Sequence, residues 1–278
     1  MNPQKPTLSY IANGVQFDVQ GTSSQYYARK NYKAKYKNGV IQNGAQVSKY
    51  AMVPNGIAAS VFCFKKDVAS SEGANNVELV KLYDEAIRLV YKTPAQEENS
   101  LIRTGIDGYP MVIFENKGDS IKFVGKYNHN FDKGAENVFG FVEGDESWEV
   151  KNNTSNRVLW KSEDYSGDDW LNDFEARYPD EDPAYEDNTQ LAELAAFLVS
   201  TDRTAATNNP LSSSVVYNGI TYTTDSAEYR LAKFKAEVDN YIETNSMLFY
   251  YLFTELFLMV DSRAKNMFPS FMGTSVIG

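Results

Sequence analysis

Between Tyr10 and Tyr127 the apolar positions keep returning every second residue, the spacing of strands with one buried face. Tyr10-Ile11-Ala12 and Val15–Val19 flank Asn13-Gly14, a dipeptide that favours tight reversal, and predict a hairpin. Lys30-Tyr32-Ala34-Tyr36 interleaves with Asn31-Lys33-Lys35-Lys37, giving an aromatic face and a basic face before a second reversal at Asn38-Gly39. Ser60–Phe64, Tyr109–Glu115 and Ile121–Tyr127 read as further strands, the last two joined by Asn116-Lys117-Gly118-Asp119. Shorter strands are expected over Asn137–Val142, Ser147–Val150 and Arg157–Lys161. One stretch breaks the alternation: Val77, Val80, Tyr83, Ile87 and Val90 recur at three- and four-residue steps and predict a helix over Asn76–Lys92.

Past Glu163 the pattern changes. Glu163–Asp187 is acidic and contains proline, and reads as an exposed connection with a short helix around Trp170–Tyr178. Helical spacing then takes over at Leu191–Ser200, Ser226–Glu243 and Met247–Val260, with a small hairpin over Ser212–Thr224 turning at Asn218-Gly219. The last helix is apolar nearly all round, so it is expected in the middle of a helical lobe, burying Leu248, Tyr251, Leu252, Phe257, Leu258 and Val260. The fold class expected is α+β: a strand-rich lobe over 1–165 with one long helix, an acidic connection over 166–187, and a helical lobe over 188–278.

Composition narrows the chemistry. Lys and Arg total 27 against 37 Asp and Glu, a net charge of −10 that argues against nucleic acid as a partner of the whole chain. With one cysteine, Cys63, no intrachain disulfide or multi-cysteine zinc site can form, and with one histidine, His129, no histidine-rich site can either. A metal here would be a hard, oxygen-bound ion such as Mg²⁺ or Mn²⁺. His129 itself reads as a loop residue rather than a base or ligand. Met1–Pro6 lacks the apolar core of a signal peptide, and Met247–Val260 is too short to span a bilayer, so no membrane is expected and the setting expected is a virion or cytoplasm. The 19 Tyr and 16 Phe exceed what one core readily consumes. They predict membership of a larger assembly, with contacts drawn from Tyr165, Trp170, Phe174, Tyr178 and Tyr185.

The sharpest constellation is Asp261-Ser262-Arg263-Ala264-Lys265-Asn266, directly after the last helix. A kinase catalytic loop has this spacing, with an aspartate accepting the substrate hydroxyl proton and an asparagine five residues on that holds Mg²⁺. Asp261 is the candidate base, Arg263 a candidate partner for the transferred phosphoryl group, and Asn266 the candidate metal ligand. The plain alternative is a helix end, with Arg263 and Lys265 answering its dipole and Asn266 capping it. Gln20-Gly21-Thr22-Ser23-Ser24, followed by Lys30 and Lys33, forms the second constellation. Backbone N–H groups and hydroxyls of Ser23 and Ser24 would face phosphates, and the two lysines would neutralise them. Its alternative is an ordinary turn and a solvated basic strand. Lys65-Lys66-Asp67 and the residues to Asn76 read as a lead into the first helix, capped by Ser70 or Asn75.

In this order the stretches resemble the CotH family of spore-coat kinase-like proteins. The resemblance rests on Val19–Ser24 with Arg29-Lys30-Asn31-Tyr32-Lys33, on Lys65-Lys66-Asp67 with Ser70, Ser71 and Asn75, and on Asp261 with Asn266. Phe253–Asn266 is similar to CotH-like segments of tailed-phage structural proteins. Gln20 and Thr22 stand where the family carries Arg and Asn. The resemblance implies a distantly kinase-like fold, ATP and Mg²⁺ as cofactors of any active form, and transfer of phosphate to a protein hydroxyl. It also implies a second metal-binding aspartate beyond Asn266, and Met267–Gly278 contains no Asp or Glu. The expectation is therefore either part of a longer polypeptide or a non-catalytic relative. The function expected is a non-catalytic structural component of a phage particle, its partners other virion or coat proteins; an incomplete portion of an active kinase is the alternative.

Overall fold

The computed structural model describes residues 10–21, 26–53, 56–66, 77–150, 174–179, 188–201, 214–223, 226–259, 262, 267–273 and 276–277. The fold is α+β, and the chain forms two compact units, residues 1–89 with 95–140, and residues 90–94 with 141–278. Composition placed a division at 166–187; the units instead part at Gly140. Among the described residues no helix is long and apolar enough to cross a membrane.

The first unit contains β1 (Tyr10–Ile11), β2 (Gln16–Gln20), β3 (Asn31–Lys35), β4 (Val40–Gln42), β5 (Ala45–Val47), β6 (Tyr50–Ala51), β7 (Ala58–Ala59) and β8 (Val61–Lys65). Then follow α1 (Leu79–Ile87), α2 (Pro94–Glu98), β9 (Gly108–Asn116), β10 (Ile121–Phe131) and α3 (Glu136–Phe139). Its main sheet has five antiparallel strands in the order β2-β3-β8-β10-β9. In chain order α1 falls between the third and fourth of these strands. The alternation expected around Tyr32 holds: Ala34 and Tyr36 join Phe62, Phe64, Tyr127 and Phe131 in one apolar core, with Tyr32 packed against it. That core also takes Val40 and Tyr50, and Tyr10 packs on the rings of Tyr36 and Tyr50.

Two expected reversals do not make hairpins. Asn13-Gly14 and Asn38-Gly39 do turn the chain, and Gly14 and Gly39 have positive φ, but β1 pairs with β4 while β2 pairs with β3. Each turn passes the chain from one sheet to another. The tight hairpin is the next one, β4 to β5, where Asn43 and Gly44 both have positive φ. The strand expected over Asn137–Val142 is also replaced. Residues 136–139 form the helical turn α3, closed by Gly140 in the left-handed conformation at φ 75°. A side chain there would be strained and would press a Cβ to 2.4 Å from that of Ala95. The first helix is present but shorter than expected.

In the second unit are β11 (Glu146–Val150), β12 (Phe174–Tyr178), α4 (Thr189–Thr201), β13 (Ser214–Tyr217), β14 (Ile220–Thr223) and α5 (Ala227–Glu237). They are followed by α6 (Thr244–Leu256), β15 (Ser270–Met272) and β16 (Val276–Ile277). One sheet runs β12-β11-β15-β16 and a hairpin joins β13 to β14 through Asn218-Gly219, as the turn chemistry predicts. Residues 174–178, expected to be helical, are extended because β11 takes them as a ladder partner. Phe174 is buried with Trp148, Val150, Leu191, Leu194, Ile242 and Phe271, and Tyr178 stacks on Phe141. Neither is the free contact residue that composition suggested. Tyr165, Trp170 and Tyr185 lie outside the described residues, as does the strand expected over Arg157–Lys161.

The largest correction concerns α6. Its buried side is Ser246, Phe253 and Thr254, while Leu248, Leu252 and Leu256 are more than half exposed. The helix is amphipathic in exposure without being amphipathic in composition: both of its faces are apolar.

Candidate functional site

Pleating sends alternate residues of the five-stranded sheet to opposite faces. Tyr32, Ala34, Phe62, Phe64 and Phe131 take the apolar face, so the residues between them take the other. Across the sheet that second face reads Gln20, Asn31, Lys65 and Asn128 in one row, and Asp18, Lys33, Cys63 and Asn130 in the next. These two rows are polar over the four strands β2, β3, β8 and β10, yet Cys63, Asn128 and Asn130 are buried. A buried polar face needs internal partners, and the central ones are ionic.

Asp132, just past β10, is almost completely buried. Its Oδ1 lies 3.1 Å from Lys33 Nζ and accepts the Gly134 N–H at 3.1 Å. Its Oδ2 accepts the Cys63 thiol at 3.1 Å. Burial alone would raise the Asp132 pKa, but the Lys33 ammonium and these hydrogen bonds outweigh it and hold the carboxyl below its usual range. The same burial, with the Asp132 charge beside it, pushes the Cys63 thiol up to about 12. Cys63 is therefore a neutral donor, not a nucleophile.

Cations gather at the end of the sheet. Lys65, the last residue of β8, donates from Nζ to Gln20 Oε1 at 2.7 Å. Lys66 follows it, buried, with its backbone N–H given to Asn31 Oδ1 at 2.9 Å and Nζ 4.4 Å from the centroid of the Tyr27 ring. Desolvation, then the charges of Lys30 and Arg29, lower the Lys66 pKa. Arg29 in turn lies over Tyr127, donates to the Lys126 carbonyl, and presses against Gly125, where an added Cβ would meet its Nη1 at 2.6 Å. Arg29, Lys30 and Lys66 thus form a cationic cluster braced by tyrosine faces and strand ends, suited to holding an anion.

His129 is a strand residue on the apolar face, not the loop residue the sequence suggested. Its ring sits 4.5 Å from Phe62 and 5.3 Å from Phe64, Nε2 has no hydrogen-bond partner, and burial lowers its pKa to about 4. It is a neutral core histidine.

The structure separates the two lysines singled out from sequence. Lys30 belongs to the cationic cluster, whereas Lys33 is committed to Asp132. Ser23, Ser24, Asp261, Arg263 and Asn266 lie outside the described residues. Of the Asp261–Asn266 stretch, Ser262 is described: its N–H donates to the Met259 carbonyl at 3.0 Å, and its carbonyl accepts from the Tyr250 hydroxyl. Ser262 is therefore tied to α6. Among the described residues no cluster of three or more His, Cys, Asp or Glu side chains could hold a metal. Sequence reasoning passed over Lys65 as a site residue. The signal was there: a strand with apolar residues at Val61, Phe62 and Phe64 that ends on a lysine. No protein-family model, curated protein or solved structure matches this chain.

Proposed function

We propose that this chain is a CotH-like, kinase-related domain serving as a non-catalytic structural component of a phage particle or similar assembly. The observation that carries the reading is the setting of Lys65. Kinases place their phosphate-binding lysine on the third strand of the sheet and pair it with a glutamate of the helix that follows. Lys65 ends the third strand of a five-strand antiparallel sheet, and a helix, α1, follows it. Yet its ammonium is given to Gln20, and among the described residues no ion pair joins it to a carboxylate of α1. Asp84 of that helix instead binds Arg88, Arg103 and Thr104. The position is kinase-like and its electrostatic wiring is not. The virion setting rests on the likeness of Phe253–Asn266 to phage structural segments.

A specific observation favours the enzymatic alternative too: Arg29, Lys30 and Lys66 cluster near the end of the strand that carries Lys65, as a triphosphate site would require. Incubation with labelled ATP and Mg²⁺ or Mn²⁺ separates the readings. No incorporation above an Asp261→Asn control is expected. Label that appears in the parent chain and vanishes in that variant would overturn the non-catalytic reading.

A further inference from the structure

Two carboxylates compete for one arginine where α1 meets the loop leading into β9. Asp84 of α1 and Asp107, the residue before β9, are 1 and 3 % exposed. The helix packs on this loop: an added Cβ at Gly105 would come within 2.6 Å of Val80 Cγ1. Arg103 serves both carboxylates, its Nη1 3.2 Å from Asp84 Oδ2 and its Nε 3.7 Å from Asp107 Oδ2. The competition is unequal. Asp84 Oδ1 accepts the Thr104 N–H at 2.7 Å and the Thr104 hydroxyl at 2.9 Å, and Oδ2 accepts Arg88 Nη2 at 2.9 Å as well as Arg103. For Asp107, 3.7 Å to Arg103 is beyond hydrogen-bond reach, and its buried Oδ1 has no hydrogen-bond partner among the described residues. A buried carboxylate oxygen without a donor is costly while it is charged and much less so once protonated.

We propose that Asp84, Arg103 and Asp107 form a proton-operated latch on α1. A proton on Asp107 ends the competition and leaves Arg103 to Asp84, so the helix is held. Loss of that proton divides Arg103 between two carboxylates and loosens the helix. The groups that face Asp107 come from three elements: Lys81 and Asp84 from α1, Arg103 from the loop, and Tyr109 from β9. Lys81 does not close the gap, because its Nζ lies over the Tyr109 ring, 3.8 Å from the centroid. Burial raises the Asp107 pKa by more than Arg103 lowers it, with Asp84 adding to the rise and Lys81 opposing it. The unfolded carboxyl titrates near about 4. With the folded value higher, the burden of Asp107 on the fold is present above the folded pKa and is relieved as pH falls through it. That sign is opposite to those of Asp132 and His129, whose contributions are lost on acidification.

NMR titration of the Asp107 carboxyl carbon in the full chain, combined with hydrogen exchange of the α1 amides, tests the latch. The carboxyl is expected to titrate above the ordinary value of about 4. As pH rises through that measured midpoint, protection of the α1 amides, taken relative to their intrinsic rates, should fall by at least about threefold. Asp107→Asn carries no charge at any pH and should show no such fall. A carboxyl that titrates at about 4 or below overturns the proposal, as does α1 protection in the parent chain that ignores the midpoint. A fall that persists undiminished in Asp107→Asn overturns it too, by giving the effect to another group. The first two measurements need only the parent chain, so they decide the matter even where the variant does not fold.

Discussion

Replacing Lys33 by Met should destabilise the first unit more than any other lysine substitution on the polar sheet face. Asp132 keeps only 3 % of its side-chain surface, and the Lys33 ammonium is the cation paired with it at 3.1 Å. Removing one partner of a buried pair typically costs about 3–5 kcal/mol, because the other charge is stranded. Lys33 is a quarter exposed, and the carboxylate would keep the Cys63 thiol and the Gly134 N–H, so roughly 2–3 kcal/mol is expected here. The pH dependence identifies the cause. In the parent, Asp132 has a folded pKa below its unfolded one, so its contribution is present above about pH 4 and is lost as pH falls through the folded value. In Lys33→Met, burial is opposed only by the Cys63 and Gly134 hydrogen bonds, so that pKa rises, and the penalty is full at neutral pH and shrinks on acidification. Urea unfolding at pH 7 and at about pH 4.5 should therefore show the gap between variant and parent narrowing. Adding Asp132→Asn to Lys33→Met should recover most of the loss at pH 7. A gap that is constant with pH, or that the second substitution does not reduce, would refute the stranded-charge reasoning.

Acidification should also expose His129: its pKa falls from about 6.5 when unfolded to about 4 when folded. Stability is then lost progressively between those two values as the unfolded state takes up the proton, by up to about 3 kcal/mol, and His129→Phe should flatten that part of the profile. On α6, Phe253→Ala should cost about 3–5 kcal/mol, as a buried aromatic does, while Leu252→Ala in dilute solution should cost less than about 1 kcal/mol. Equal melting shifts for these two would contradict the placement of the helix. Cys63 should not react with a thiol reagent at pH 8 in the folded chain and should react fully in denaturant; modification at the folded state's own pace without unfolding would show its burial to be wrong.

Local pattern was enough where an element's partner is its neighbour in the chain. The β9–β10 and β13–β14 hairpins, the helices α4 and α5, and the inward aromatic side of β3 could all be read from periodicity and turn residues. It failed where the partner is remote. Asn-Gly says that the chain reverses, not which strand receives it, and two of the five such pairs hand the chain to a different sheet. Residues 174–178 have a composition that tolerates helix, and only pairing with β11 makes them extended. In α6, leucines and aromatics all round the helix suggested burial all round. Apolar composition shows that a surface wants cover, and it does not say whether the cover comes from the same chain.

The candidate site was half legible for the same reason. A basic row on one side of β3 reads as a solvated edge if β3 is an edge strand, and edge position is a property of the whole sheet. With β2 on one side and β8 on the other, β3 is interior, so Lys33 projects over a face whose centre is buried. A lysine there needs a carboxylate, and the one that answers it, Asp132, lies beyond the far end of β10. Lys30 precedes the strand and escapes that pairing, which leaves it with Arg29 and Lys66. The split between a structural lysine and the cationic cluster is thus decided by strand order: had β3 and β2 exchanged places, Lys33 would sit on an exposed edge and Asp132 would be stranded. The Cys63 hydrogen bond to Asp132 would remain in that arrangement, but a neutral thiol cannot balance a buried charge, so the sheet order seen is the one that satisfies this sequence.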